Sequence, residues 1–507
     1  MLEQLMMGLQ TALQPGNLLA IAAGTALGVL VGAMPGLSAS AGLACVLPLT
    51  FVMGPIPAML MMTAIYLAAE YGGSITAITL GIPGSPASFP TTFDGYPLTK
   101  KGQTGKALGI SIVSSTLGGA LGTIVLIFAA GPVSKFALKF GPAEYFALAV
   151  FGLSIVSSLA REGVLKGFIS AVIGLLVAMV GVDVLSGYPR FSFGLMGLYG
   201  GIRLAPCLIG LFAITEVFRM VEESGAPRAI LGKVSASLPT WQDLKGCAVT
   251  ILRSSLIGTA VGSVPGSGAA VASMISYNEA KRASKHPELF GTGILEGVSA
   301  AEAAANASVG GAMIPLLTLG VPASPSDAIL LGALILHNVD PGPLLMTKHP
   351  ELVYSIYAGF FIAECFMFVI GMLGIPLWVK LISLPSRWLM PVVLGIAICG
   401  AYGVGNSLFD VGIAVFFGVL GYLMRRFGFS IVASLFGVIL GSLLESNYRR
   451  ALAISGGDYT TFLTHPISLM LLLFALTSFF LPAIRSYLGK RREVRNAQPT
   501  TAAAAGR

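Results

Sequence analysis

Two short segments carry the residues best suited to bind a small anion inside a membrane. Residues 80–86 read Leu-Gly-Ile-Pro-Gly-Ser-Pro, and residues 319–325 read Leu-Gly-Val-Pro-Ala-Ser-Pro. Proline lacks an N–H group and glycine lets the backbone leave a helix, so each segment should interrupt a helix and free peptide groups. Free N–H groups at a new helix N-terminus favour a carboxylate, and free carbonyls favour a cation such as Na⁺. A duplicated break at membrane depth therefore predicts the binding site of a transporter.

Hydroxyls, prolines and glycines near these breaks complete the predicted site. The predicted substrate contacts are Pro35, Gly36, Ser38, Gly84, Ser85, Ser88, Pro265, Gly266, Ser267, Asn306, Ala323, Ser324 and Ser326. The predicted cation contacts are Gly72, Gly73, Gly81, Glu302, Gly310 and Gly320. Small residues also allow membrane helices to pack closely, and we favour that interpretation for the pairs Gly28/Gly32, Gly118/Gly122 and Gly258/Gly262.

Acidic residues inside apolar segments are separate candidates, because a charge in hydrocarbon is costly and is usually functional. Four acids qualify: Glu70, Glu302, Glu364 and Asp410. Glu302 is equally consistent with a contact to substrate or cation and with a helix cap. Among the arginines, which mostly occupy loops, Arg203 lies within an apolar stretch.

The composition places the chain in a bilayer. Of 507 residues, 55% are hydrophobic and 10% charged, and the mean hydropathy is +0.86. Soluble domains carry about 25% charged residues. The excess of 30 Lys and Arg over 22 Asp and Glu fits cytoplasmic loops rather than a nucleic-acid partner. We expect no cleavable signal peptide, disulfide framework, metal site, P-loop or cofactor.

Apolar segments indicate an all-α polytopic membrane protein with about 12 transmembrane helices plus re-entrant or broken helices. We predict a first membrane repeat at 1–218, a cytoplasmic linker at 219–246, a second membrane repeat at 247–488 and a disordered cytoplasmic tail at 489–507. The apolar spans lie near 17–34, 56–80, 107–131, 143–160, 164–182, 193–217, 247–264, 310–336, 352–380, 390–403, 408–424, 429–445 and 466–484.

The two halves repeat their motifs in the same order. Pro35 and Pro265 are 230 residues apart within matching Gly-x-x-x-Gly-x-x-Pro-Gly motifs, and Pro83 and Pro322 are 239 apart. The charged loops exchange places between the halves. Lysines and arginines follow the Pro83 break in the first half, but they precede the Pro322 break in the second half. Because such residues stay cytoplasmic, the exchange predicts two inverted-topology repeats and a cytoplasmic C-terminus.

Longer motifs resemble a known family. Residues 71–78 (Tyr-Gly-Gly-Ser-Ile-Thr-Ala-Ile), residues 94–97 (Asp-Gly-Tyr-Pro) and residues 287–291 (Pro-Glu-Leu-Phe-Gly) are similar to the large membrane subunit of the tripartite tricarboxylate transporters. So are Glu302, Asn306 and the Pro-Gly-Pro sequence at 341–343. The resemblance runs from about Gly16 to the last apolar span. The chain departs from the family at Ala323, where the family has Gly, and at Ala305-Asn306, where it has paired Asn.

The resemblance implies a permease of the bacterial inner membrane, surrounded by lipid. It would work with a small membrane subunit and a periplasmic solute-binding protein, and import a citrate-like tri- or dicarboxylate by symport with Na⁺ or H⁺. We expect Na⁺ as the coupling ion and no enzymatic activity. An ion or solute channel remains an alternative, since channels also use broken helices. An intramembrane enzyme is disfavoured by the lack of a Ser/His or paired-Asp constellation at membrane depth.

Overall fold

A computed structural model describes residues 2–34, 37–158, 160, 163–183, 186–222, 238–374, 378 and 386–480. Within these ranges the protein is almost entirely helical, and a two-stranded antiparallel ribbon pairs Gly181–Val182 with Pro189–Arg190. The predicted all-α class is therefore confirmed. The chain folds into two compact units, the first made of residues 1–139 and 180–427 and the second of residues 140–179 and 428–507.

Most of the helices belong to the first unit. Its helices before residue 140 are α1 (Leu2–Ala12), α2 (Pro15–Ala33), α3 (Ala39–Val46), α4 (Pro55–Leu80), α5 (Phe89–Lys100) and α6 (Thr104–Ala137). Its later helices are α9 (Leu204–Leu208), α10 (Thr215–Glu222), α11 (Trp241–Gly262), α12 (Gly268–Ala283), α13 (Leu295–Leu319), α14 (Pro325–Leu336), α15 (Leu345–Lys348), α16 (Pro350–Leu373), α17 (Ser386–Gly405) and α18 (Leu408–Arg426). A π-helical stretch, Ile209–Ile214, joins α9 to α10.

The second unit is built from apolar helices and one short turn of helix. These are α7 (Pro142–Ser158), α8 (Val164–Ala178), α19 (Ile431–Ile454), α20 (Thr461–Thr464) and α21 (Pro466–Phe480). Glycines let α8 and α19 touch, since a Cβ on Gly174 or Gly437 would lie within 2.3 Å of a carbonyl oxygen on the facing helix.

Seven of the described helices are long and apolar enough to cross a membrane: α2, α6, the continuous Leu204–Glu222, α11, α16, α18 and α19. Six shorter apolar helices accompany them: Ala39–Val52, Pro142–Ser158, Val164–Ala178, Pro325–Leu336, Met390–Gly405 and Pro466–Phe480. The chain is thus a multi-pass membrane protein. The count of about 12 spans and the boundaries at 218, 246 and 488 stay predictions, and residues 223–237 and 481–507 lie outside the described part.

Two helices, α4 and α13, form the buried centre of the first unit. Every residue from 58 to 79 and from 297 to 318 is buried. Small residues allow this packing: a Cβ on Gly28 or Gly32 of α2 would collide with carbonyl oxygens of α4, and one on Gly258 or Gly262 would collide with those of α13. Gly118 and Gly122 of α6 also pack against α13. These three glycine pairs therefore serve close packing, as the sequence predicts.

Candidate functional site

Both predicted breaks end a central helix in the same way. Gly81 follows α4 and Gly320 follows α13, and each adopts the left-handed conformation at φ +69° that commonly ends a helix. Extended backbone at Ser85 and Ser324 then leads into a proline that starts the next helical segment. In each half the chain leaves the helix just beyond its buried stretch; Ile82 of the first break is 47% exposed, whereas Val321 of the second is buried.

The second break meets the Pro265-Gly266 pair. The Gly266 N–H donates to the Ala323 carbonyl at 2.8 Å. A Cβ on Gly268, the first residue of α12, would lie 3.7 Å from the Ser324 Cβ. The tip of α12 therefore lies against the second break, which brings together two segments that the sequence predicts for one site.

The first break joins the same region through small side chains. Ala87, in the turn after the first break, packs with Ala269 of α12 and Ala305 of α13. Asn306 follows Ala305, is fully buried, and its amide has no hydrogen-bond partner among the described residues. An unsatisfied buried amide is costly, so Asn306 is chemically suited to a polar ligand.

Helix α4 connects the two breaks through a pair of side chains one turn apart. The Tyr66 hydroxyl lies 3.0 Å from the Ser324 hydroxyl of the second break. The Ser85 hydroxyl of the first break donates to Glu70 at 3.4 Å. Residues i and i+4 share one face of a helix, so this face of α4 contacts both breaks.

Glu302 is held by four hydroxyls from three other helices. Ser111 and Ser115 of α6 each donate to its Oε2 at 3.0 Å. Ser74 of α4 donates to Oε1 at 2.5 Å, and Thr91 of α5 donates to the same oxygen. An ionised carboxylate offers about four lone-pair sites, so these donors satisfy Glu302. The carboxylate ties α4, α5, α6 and α13 together, and its predicted contact with a cation remains a prediction.

The remaining predicted residues take several positions. Pro35 and Gly36 lie outside the described residues. Ser38 caps α3 by accepting from the Ala41 N–H, and Ser267 donates to the Val264 carbonyl.

Ser88, Ser326 and Ala323 are buried in or just after the breaks. Gly72, Gly73, Gly84 and Gly310 occupy close backbone contacts in which a Cβ would fall within 2.7 Å of another atom. Their role in binding stays a prediction.

Asp94, in the 94–97 motif on α5, binds a loop of the second half of the chain. Asp94 Oδ1 accepts the backbone N–H groups of Gly291, Gly293 and Ile294 at 2.8–3.0 Å. Its Oδ2 accepts the Tyr277 hydroxyl at 2.8 Å. Asp94 is fully buried, so these four donors compensate its desolvation. This contact joins the 94–97 motif to Gly291, the last residue of the 287–291 motif.

Two charged residues noted separately in the sequence form an ion pair. Arg203 Nη1 lies 2.5 Å from Asp410 Oδ2, and Gly405 leaves room for both side chains. Arg203 therefore compensates the charge of a buried acid on α18, while its own side chain stays 54% exposed.

Asp327 and two of the hydroxyls that hold Glu302, those of Ser111 and Ser115, were not predicted from the sequence. Asp327 follows Ser324 by three residues, and Ser324 caps α14 by accepting the Asp327 N–H at 3.2 Å. The Ser-x-x-Asp spacing is a known signal for a helix start and could have drawn attention to this acid. Ser111 and Ser115 share a face of α6 by their spacing, but nothing in the sequence indicates which acid they meet.

Comparisons with known proteins agree with this architecture. Residues 18–436 match a model of the family described as "Tripartite tricarboxylate transporter TctA family". A 52.8 kDa Agrobacterium vitis protein, described as uncharacterized and located in the TAR-I ttuC' 3' region, is 38% identical over 97% of this chain and 98% of its own. A second Agrobacterium vitis protein, from the TAR-II ttuC' 3' region, is 40% identical over 47% of this chain and 98% of its own. No solved structure matches the chain.

Proposed function

The chain belongs to the tripartite tricarboxylate transporter TctA family, and from this premise we propose that it is the large permease subunit of a secondary active transporter. It imports a citrate-like tri- or dicarboxylate with Na⁺ or H⁺ by symport. A periplasmic solute-binding protein delivers the substrate, and a small membrane subunit completes the assembly. The family is one of transporters, so we expect no catalysis.

The contact of both breaks with one face of α4 is the observation that carries this proposal. Ser324 of the second break contacts α4, and Ser85 of the first break bonds to the same face of α4. Helices α5 and α14 begin just beyond these serines, and their N-terminal N–H groups and dipoles favour a carboxylate. A substrate with two or three carboxylates suits a site that has a helix N-terminus on each side.

We also propose that the two halves are inverted-topology repeats and that the C-terminus is cytoplasmic. The support is that α4 and α13 have matching burial, matching left-handed glycine ends and matching Ser-Pro restarts. Transport would then follow alternating access, with the unit that carries the breaks moving between the two faces of the bacterial inner membrane.

Uptake by the reconstituted three-component system tests the function. Proteoliposomes that contain both membrane subunits, supplied with the binding protein, should accumulate one member of a panel of tri- and dicarboxylates when a Na⁺ or H⁺ gradient is imposed. Flux that needs neither the binding protein nor a gradient would instead indicate a channel.

Two serine variants test the location of the site. In Ser85→Ala and Ser324→Ala, the substrate concentration for half-maximal uptake should rise about tenfold, the cost of losing a hydrogen bond to a charged group. Ser154→Ala is the matched control, because among the described residues the Ser154 hydroxyl bonds to the Val150 carbonyl of its own helix and to no other group. Unchanged affinity in both site variants would refute the assignment.

A further inference from the structure

Two buried carboxylates near the breaks lack a compensating positive charge. Tyr66, one turn before Glu70 on α4, contacts Ser324, which precedes Asp327 by three residues. The charges of Asp327 and Glu302 both act on Glu70. In the described part of the chain, neither acid forms an ion pair with a Lys, Arg or His side chain. Like charges in an environment of low dielectric repel strongly, so this pair requires a cation or a proton.

Asp327 is the less satisfied of the two acids. It is fully buried, and its oxygens approach the N–H groups of Ala323 and Ser324. Neither oxygen forms a hydrogen bond of normal length and angle with any described residue. Glu70 accepts one long bond, from Ser85 at 3.4 Å. Each acid therefore keeps acceptor capacity that the described residues fill weakly or not at all.

The donor atoms of this cluster are all oxygens. The carboxylates of Glu70 and Asp327 are accompanied by the hydroxyls of Ser85, Ser324 and Tyr66. Carboxylate and hydroxyl oxygens suit hard cations rather than transition metals. Three members of the set, Tyr66, Glu70 and Ser85, come from the first half of the chain, and two, Ser324 and Asp327, come from the second.

Two other buried acids, Glu302 and Glu364, differ from this pair in their hydrogen-bond partners and neighbouring charges. Glu302 has its lone pairs filled by four hydroxyl donors. Glu364 is fully buried against Gly119 with no hydrogen-bond partner among the described residues, and no second acid contributes to its electrostatic surroundings. Among these four acids, only Glu70 and Asp327 have both unfilled acceptor oxygens and a second carboxylate nearby.

We propose that Glu70 and Asp327, with Ser85, Ser324 and Tyr66, bind the coupling cation Na⁺ between the two breaks. This rests on the proposed function and adds a physical cause for coupling. An anionic substrate held at Ser85 and Ser324 would lie beside two carboxylates and be repelled by them. Bound Na⁺ reduces that repulsion, so cation binding raises the affinity for the anion, and by linkage the anion raises the affinity for Na⁺.

Binding of radioactive Na⁺ to the purified full chain in nanodiscs tests the proposal without transport. The unaltered chain should bind Na⁺, and Glu70→Gln and Asp327→Asn should each weaken binding about tenfold or more, since cation affinity follows the number of charged ligands. The matched control Glu364→Gln removes an equally buried acid and should bind Na⁺ as the unaltered chain does.

The outcomes separate this proposal from the proposed function. Unchanged Na⁺ affinity in both variants, or no Na⁺ binding by the unaltered chain, overturns the site. Normal Na⁺ binding without carboxylate uptake overturns the function and leaves the site standing. If the two acid variants do not fold, Tyr66→Phe replaces them, and an affinity for Na⁺ equal to that of the unaltered chain would then count against the site.

Discussion

Glu302 and Glu364 provide a matched test of how hydrogen bonding decides the cost of a buried acid. Both are buried in helices of the first unit, but Glu302 accepts four hydroxyls and Glu364 accepts none from the described residues. The same change to Gln at each position keeps the shape and removes the acid. Any difference in the free energy of unfolding between the two variants then reports on the hydrogen-bond partners of each acid.

The magnitude follows from the four bonds. A hydrogen bond to a charged group contributes about 1.5–3 kcal/mol, against about 1 kcal/mol for a neutral one. In Glu302→Gln every bond loses its charge assistance, and one carboxylate oxygen becomes an amide NH₂ that cannot accept from a hydroxyl. We expect a loss of about 2–4 kcal/mol. Glu364→Gln leaves no hydroxyl unpaired, so its effect should stay within about 1 kcal/mol or be stabilising.

Thermal unfolding of the purified chain in nanodiscs, followed by intrinsic fluorescence, measures the difference. With an unfolding entropy of about 2 cal/mol/K per residue, which is about 1 kcal/mol/K over the 507 residues, Glu302→Gln should lower the Tm by about 2–4 °C. Glu364→Gln should shift it by about 1 °C or less in the destabilising direction. Equal losses at both positions, or a loss only at Glu364, would refute the reasoning from hydrogen-bond partners.

Two further predictions concern packing and the loop contact of Asp94. Asp94→Asn should destabilise the chain by about 2–4 kcal/mol in the same assay, because the carboxylate that accepts four buried donors becomes a neutral amide. Tyr277→Phe removes one donor to that carboxylate and should cost less, about 1.5 kcal/mol. Equal effects of the two variants would contradict this. Gly32→Leu should abolish folded protein in size-exclusion chromatography, because even a Cβ would lie 2.1 Å from the Ala69 oxygen. Gly16→Leu, in the same helix with nothing within 4 Å, is its control and should fold normally.

Much of the architecture could be predicted from the sequence because it depends on local chemistry. The apolar composition indicates a membrane protein, and the Pro and Gly residues of the two breaks end α4 and α13 where predicted. The spacing of Gly28 and Gly32 indicates a face for close packing, and the structure shows that face against α4. Such features follow from the backbone preferences of single residues and from helical periodicity.

The partners of the buried acids could not be predicted in this way. Glu302 meets Ser111, 191 residues away, and Asp94 meets Gly293, 199 residues away. Each contact depends on the rotation and axial position of two helices that are remote in sequence. A shift of one residue would turn a serine by about 100° and remove it from the acid.

By itself the sequence determined that this chain is a multi-pass helical membrane protein, that two Ser-Pro breaks interrupt its helices, and which family its motifs resemble. Only the tertiary structure decided that four hydroxyls satisfy Glu302, whereas Glu70 and Asp327 have few donors and no basic partner among the described residues. The physical reason is that helix breaks arise from the local conformation of proline and glycine. The state of a buried carboxylate instead depends on the donors that packing brings within about 3 Å.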